Sequence, residues 1–149
     1  MKKFKFSLDT VLGYKKQLLE THQNEYAAST AAVRQQEELL HFADERYCEY
    51  NEEYRQRKCD GLTITDASIY QMGLRVMEAE IQAGQVRLEQ LQQIAEEKRQ
   101  WMVETKREIA SIETLREKRL DTYEKAWQKA EENLIDEFVG AARFSKTTA

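Results

Sequence analysis

The chain is 149 residues long and 34% charged, and it has no proline, only five glycines and a net charge of −4 at pH 7. Average usage would give about seven prolines and about ten glycines, so the abundance of Glu, Gln, Lys, Arg, Ala and Leu favours long helices over a compact multi-layer core. The interspersed charges exclude the basic footprint of a nucleic-acid-binding protein, and no apolar run approaches the roughly 18 residues of a membrane-spanning helix.

A cytoplasmic location is the matching expectation, because the N-terminus lacks the apolar core and cleavage site of a signal peptide. The two cysteines agree with it. On one helix, Cys48 and Cys59 would lie about 16 Å apart along the axis, which is beyond the reach of a disulfide. Two reduced thiols are therefore predicted.

The first predicted helix covers residues 7–59, and Ser7 or Asp9 can cap its start. Its apolar residues repeat every seven positions without a break: Leu12, Leu19, Tyr26, Val33, Leu40, Tyr47 and Tyr54. The companion seam position is more polar and holds Leu8, Lys15, His22, Ser29, Gln36, Ala43 and Tyr50. A polar middle of this kind favours one register at some cost in stability.

A tight turn is predicted at residues 60–63. Asp60 and Gly61 are a turn pair, and Thr63 with Asp66 offers a capping box for a new helix. This is the clearest interruption in the whole helical pattern.

The second predicted helix covers residues 64–139. Its heptad positions hold Leu74, Ile81, Leu88, Ala95, Met102 and Ile109, and Met77, Leu91 and Ile112 join from the companion position. Gly73 and Gly84 weaken this helix without ending it. Gly140 is the expected stop, so residues 140–149 are expected to form a short frayed tail.

Two long amphipathic helices joined by a tight turn must fold back on each other, because neither can bury its apolar stripe alone. The predicted fold is therefore all-α, a single-domain antiparallel two-helix coiled coil, or α-hairpin rod, whose second helix is the longer. About 24 residues of that helix would extend past the end of the first. They carry one apolar face with nothing predicted to cover it, formed by Leu120, Tyr123, Trp127, Ala130, Leu134 and Phe138.

Two aromatic groups have two interpretations each. Phe4 and Phe6 either staple the start of the first helix or form, together with the uncovered face, one end that inserts into a partner. Three tyrosines, at positions 47, 50 and 54, cluster before the turn. They either fill the seam, or remain partly exposed as interface anchors.

No enzyme signature is present, and no cofactor is predicted. The glycines are too scattered to form a phosphate-binding loop. His22 and His41 are too far apart for a metal-binding pair, and no Cys/His cluster completes a site. A two-helix rod also offers no concave active site.

The sequence resembles the family of the flagellar export protein FliJ over nearly its whole length. The similarity lies in FKFSLDTVLGYK at the start, in the Tyr50–Arg55 and Gly61–Thr63 segments with Tyr70, Met77-Glu78 and Ile81, and in Leu115–Arg119 with Tyr123 and Leu134–Glu137. The resemblance implies an antiparallel coiled-coil stalk of the flagellar type III export apparatus that is not itself an enzyme.

The resemblance also implies partners and a location. The paired termini, with Phe4, Phe6, Leu120, Tyr123, Trp127, Leu134 and Phe138, would bind the ring of the hexameric export ATPase. The rod near its turn would bind the cytoplasmic domain of the membrane export gate through Tyr47, Tyr50, Tyr54 and Met77. These four residues belong to a larger face that corresponds by position to the gate-contacting face of the family: Ala43, Tyr47, Tyr50, Tyr54, Gly73, Met77, Glu80 and Gly84. Export chaperones would be further partners. The protein would be cytoplasmic and peripherally associated with the membrane export apparatus.

Three alternatives remain from the sequence alone. The chain could be a homodimerising structural coiled coil in which the uncovered face pairs with a second copy. It could be the equivalent stalk of a virulence type III secretion system. A secretion chaperone is a weaker interpretation, because a two-helix rod offers little groove for a disordered client.

Overall fold

The computed structural model describes residues 2–148, which form two α-helices joined by a short turn. Helix α1 covers Asp9–Asp60 and helix α2 covers Ile64–Thr147, with 52 and 84 residues respectively. The described residues contain no β-strand. The predicted all-α hairpin with a longer second helix is therefore confirmed.

The turn follows the predicted local chemistry. Gly61 has a φ of 100°, a backbone conformation that strongly favours glycine. Thr63 caps α2, because its Oγ1 accepts a hydrogen bond from the Asp66 amide at 3.2 Å. The break in the pattern at this point thus corresponds to a real reversal of the chain.

The predicted seam positions are confirmed as the inner faces of both helices. In α1, Leu12 and Tyr54 are buried, and the other heptad and companion residues are half-buried. In α2, Ala95 and Ile109 are buried and the other predicted seam residues are half-buried. A two-helix seam has only one layer of side chains, so half-burial is the normal state of its core.

Both outer ends differ from the predicted bounds. Helix α1 begins at Asp9 rather than at residue 7, because the Asp9 amide bonds to the Phe6 carbonyl at 3.2 Å within a turn. The predicted frayed tail after Gly140 is wrong for the described residues, since α2 continues to Thr147. Gly140 does not adopt the positive φ of a helix-ending glycine. The alanines and Arg143 that follow it are good helix formers.

The contacts fall into two compact units. The terminal unit contains the chain up to Leu19 and from Glu104 onward, and the turn unit contains Glu20–Val103. The sequence predicts a single domain, and this stays a prediction.

The terminal unit joins the start of α1 to the middle of α2. Its buried residues are Phe6, Leu12, Thr105 and Ile109. Lys15, a polar seam residue, forms an ion pair with Glu108 at 2.5 Å, and this hydrogen bond holds the pKa of Lys15 above its ordinary value. Lys15 is thus paired with a carboxylate of the other helix instead of being left unpartnered in the seam.

The turn unit is an antiparallel hairpin with contacts along its length. Tyr47 donates to Glu78 at 2.8 Å, and Lys98 forms an ion pair with Glu25 at 3.3 Å. The Gln36 side chain donates to the Gly84 carbonyl at 3.1 Å. Early residues of α1 therefore meet late residues of α2, as an antiparallel seam requires.

Two glycines of α2 allow a close approach of α1 side chains. A Cβ added at Gly73 would lie 2.6–2.9 Å from three atoms of the Tyr50 ring and hydroxyl. A Cβ at Gly84 would lie 2.6 Å from a Leu40 methyl. The sequence predicts only that Gly73 and Gly84 weaken the helix. In the structure, the absence of a Cβ at each glycine leaves the space that an α1 side chain of the seam occupies.

We expect Gly73→Ala to destabilise the hairpin by about 1 kcal/mol. Displacing the Tyr50 ring costs roughly 1–3 kcal/mol, which outweighs the gain of about 0.5–1 kcal/mol from replacing a helix glycine. In a Tyr50→Ala background the same change should become stabilising. Denaturant unfolding of the four chains measures both values.

Gly13→Ala is the matched control, since nothing lies within 4 Å of a Cβ at that position. It should stabilise the protein by about 0.5–1 kcal/mol. If Gly73→Ala stabilises the chain that retains Tyr50 as much as Gly13→Ala does, the close packing of Tyr50 on Gly73 does not exist in solution.

Candidate functional site

The N-terminal segment, residues 2–8, packs against α2 within the terminal unit. The Phe4 ring lies 5.4 Å from the Tyr123 ring, and the Tyr123 hydroxyl donates to the Lys2 carbonyl at 2.7 Å. Phe6 is only 5% exposed. Arg119 lies over the Phe6 ring at 5.7 Å and donates to Ser7.

The two phenylalanines therefore have different environments. Phe6 is core, and it anchors the segment to α2. Phe4 is half-buried beside Tyr123, at the base of the part of α2 that has no partner helix. Of the two, only Phe4 presents surface for a partner to contact.

The C-terminal extension, residues 124–148, is uncovered along its whole length, because every one of these residues is exposed. The apolar stripe predicted from sequence begins just before the extension and continues along it: Leu120, Tyr123, Trp127, Ala130, Leu134 and Phe138. Leu120 and Tyr123 at the base are half-buried, whereas Leu134 and Phe138 are 63% and 76% exposed.

More apolar surface lies on the extension than the sequence pattern identified. Ile135, Val139 and Phe144 are also exposed, and Ile135 borders a shallow groove lined by Trp127, Ala130, Glu131 and Leu134. Leaving a large apolar side chain in water forfeits about 1.5–3 kcal/mol. A continuous patch of such residues marks an interaction surface.

The tyrosine cluster near the turn is largely internal packing. Tyr54 is buried and stacks on Tyr70, with ring centroids 5.2 Å apart. The Tyr50 ring also packs against Tyr70, with ring centroids 5.1 Å apart. Tyr54 therefore has almost no surface to offer the export gate, and its assignment to a partner-binding face has no support in its exposure.

Two tyrosine hydroxyls are engaged by carboxylates. Tyr47 donates to Glu78, and Tyr70 donates to Glu53 at 2.9 Å. These hydrogen bonds raise the pKa of Tyr47 and of Tyr70 above the ordinary value, because each carboxylate favours the protonated phenol. Both rings thus have defined positions in the seam.

An outer stripe of α2, which sequence reasoning missed, forms an exposed apolar surface of the turn unit. It consists of Ile69, Met72, Val76, Ala79, Ala83 and Val86, spaced alternately by three and four residues. Its four large members are 51–70% exposed. The stripe is offset from the seam, which holds Met77, Ile81 and Gly84, so it lies on a face turned away from α1.

The signal for the outer stripe was present in the sequence. A second series of apolar residues at coiled-coil spacing runs along α2 in addition to the seam series. Pairing with α1 buries only the seam series, so the second series has no packing partner in the hairpin. In the same unit, Leu39 and Phe42 of α1 are 56% and 63% exposed.

Comparison with protein-family models decides the family. The model described as "Flagellar FliJ protein" matches residues 4–147, which is almost the entire chain. The chain belongs to the FliJ family. Membership in the FliJ family implies a protein of the flagellar export apparatus. The same comparisons find no match among curated proteins or solved structures.

Within residues 2–148, no group of three or more His, Cys, Asp and Glu side chains could hold a metal ion. None of the helices in that range has the length and apolar character required to cross a bilayer. His22, the polar seam residue, instead packs its ring 6.0 Å from Trp101.

Proposed function

We propose that this FliJ-family protein is a non-catalytic stalk that couples the flagellar export ATPase to the membrane export gate. The observation that carries the proposal is the uncovered apolar stripe of the C-terminal extension in a chain that matches the family along its length. A helix with no partner inside its own unit requires a partner outside it. The ring of the export ATPase is the partner that the family relationship favours.

The gate contact is proposed for the turn unit, and the outer stripe, rather than the tyrosines, is proposed as the centre of that contact. Met72 and Val76 are far more exposed than Tyr54. Tyr47 and Met77, which are half-buried, contribute at most the border of such a contact. Export chaperones are further candidate ligands of the same exposed stripe, and the proposed location is the cytoplasmic side of the export apparatus.

The experiment that tests the proposal is direct binding with purified components. The full chain should bind the export ATPase hexamer and the isolated cytoplasmic domain of the gate from the same flagellar system, and neither partner should displace the other. Sedimentation at micromolar concentration should give a monomer. A stable dimer that binds neither partner would favour the homodimerising structural coiled coil instead.

A further inference from the structure

We propose that the C-terminal extension binds a basic amphipathic helix, whose Lys and Arg side chains pair with a row of glutamates beside the apolar stripe. The glutamate row consists of Glu117, Glu124 and Glu131, which are separated by seven residues. This inference rests on the proposed function, since the helix would belong to the ATPase that the extension contacts.

The glutamate row lies on one edge of the apolar stripe. Residues seven apart in an α-helix differ by only about 20° around the axis, so the three glutamates share one side of α2. Each stands three residues before a large apolar member of the stripe, namely Leu120, Trp127 and Leu134. An apolar stripe bordered by a regular charged row is the arrangement by which coiled-coil helices select partners.

None of the three carboxylates has an ion-pair partner among the described residues. The residues four positions after them are Asp121, Gln128 and Ile135, so the usual i, i+4 pairing with Lys or Arg does not occur. All three are exposed. The row is therefore available for cations that the chain itself does not place there.

A second copy of the chain is a poor occupant of this surface. An antiparallel copy would bring the glutamate row against itself, since identical edges face each other in that orientation. In a parallel copy, the opposing edge holds Arg119, Ala126 and Asn133. Arg119 is already bonded to Ser7 and lies over Phe6, so the positive charges must come from a different protein.

The spacing of the stripe selects a helix as the occupant. Intervals of three and four residues from Leu120 to Leu134 repeat every seven positions, and this repeat is matched by a helix that packs knobs into holes. A strand or an extended peptide would meet side chains at a period of two. Apolar contact along the stripe supplies affinity, and the glutamate row supplies orientation and salt dependence.

The test compares two triple variants of the full chain in binding to the purified export ATPase hexamer. One carries Glu117→Gln, Glu124→Gln and Glu131→Gln. The control carries Asp121→Asn, Glu132→Gln and Asp136→Asn, which remove the same charge from exposed positions far from the stripe. We expect the first variant to bind about 10-fold more weakly than wild type at low salt, as three exposed ion pairs would give, and to lose most of its salt dependence.

Binding of a synthetic helix shows, without the ATPase, which sign of charge the extension prefers in a partner helix. The probe is a peptide of three heptads with Leu at a and d and Lys at e and g, compared with its counterpart carrying Glu at e and g. Wild type and the control variant should prefer the Lys peptide by about 10-fold or more. A Glu117→Lys, Glu124→Lys, Glu131→Lys chain should prefer the Glu peptide.

The outcomes separate this inference from the function on which it rests. If wild type binds the ATPase and the glutamine variant matches the control in affinity and salt dependence, the glutamate row has no role and the proposed function stands. If all three chains prefer the same peptide equally, the basic-helix occupant is wrong. If wild type does not bind the ATPase at all, both proposals fail.

Discussion

Replacing both Met72 and Val76 with aspartate is expected to weaken binding of the gate's cytoplasmic domain by more than about 100-fold. Each apolar side chain that an interface buries contributes about 1.5–3 kcal/mol, and a carboxylate placed there must also be desolvated without a partner. Both positions are largely exposed in the free chain, so the variant should keep its helix content and its midpoint of thermal unfolding. Titration calorimetry against the purified gate domain measures the loss.

The matched control is Gln85→Asp with Gln92→Asp, which adds the same charge to exposed positions of α2 in the same unit but away from the outer stripe. It should leave gate binding within about twofold of wild type. ATPase binding should be unchanged in both variants. A Met72/Val76 variant that binds the gate like wild type would move the contact away from the outer stripe.

Removing residues 124–149 is expected to abolish ATPase binding while leaving gate binding intact. The deletion takes away Trp127, Leu134 and Phe138. Each large side chain that becomes buried in a complex contributes roughly 1.5–3 kcal/mol. The summed loss for the three side chains corresponds to a decrease in affinity of more than about 100-fold. The described residues that it removes are all exposed, so the remaining hairpin loses little of its core.

Circular dichroism and sedimentation are the folding controls for the truncated chain, which should stay helical and monomeric. Its binding to the gate domain is the functional control, since the outer stripe is untouched. If the truncated chain binds the ATPase as tightly as wild type does, the C-terminal extension is not the docking element.

The fold was predictable because it depends on one strong pattern. The unbroken series from Leu12 to Tyr54 and the series from Leu74 to Ile109 each place one residue per two turns on a single face, and both faces lie in the seam. The turn was predictable because Asp60 and Gly61 supply its backbone chemistry. The greater length of α2 follows from the predicted helix bounds, 7–59 and 64–139, alone.

The helix ends were harder to predict because a terminal glycine can act in two ways. Gly61 and Gly140 look alike in sequence, but only Gly61 takes a positive φ. The residues after Gly140 have good helix propensity, so nothing stops α2 there. The roles of Gly73 and Gly84 depended on which α1 side chains stand opposite them, and that is a tertiary contact.

The candidate site was predicted in part. The uncovered stripe of the extension followed from the unequal lengths of the helices. The exposed outer stripe near the turn did not, because exposure there depends on the seam register: Tyr54 is buried and stacks on Tyr70, whereas Met72 and Val76 are left exposed. The binding of the gate through Tyr47, Tyr50, Tyr54 and Met77 stays a prediction. Phe6 became core because Arg119 and the turn before Asp9 fold it onto α2.

The environment of Trp127 provides the most direct measurement of the central claim, which is that the extension is bare in the free chain and covered in the complex. A Trp101→Phe chain leaves Trp127 as the only tryptophan. Acrylamide should quench its fluorescence readily in the free monomer, and a saturating amount of ATPase hexamer should shift its emission to the blue and suppress the quenching. Efficient quenching that persists in the saturated complex, or a Trp127 already shielded in the free monomer, would contradict the account.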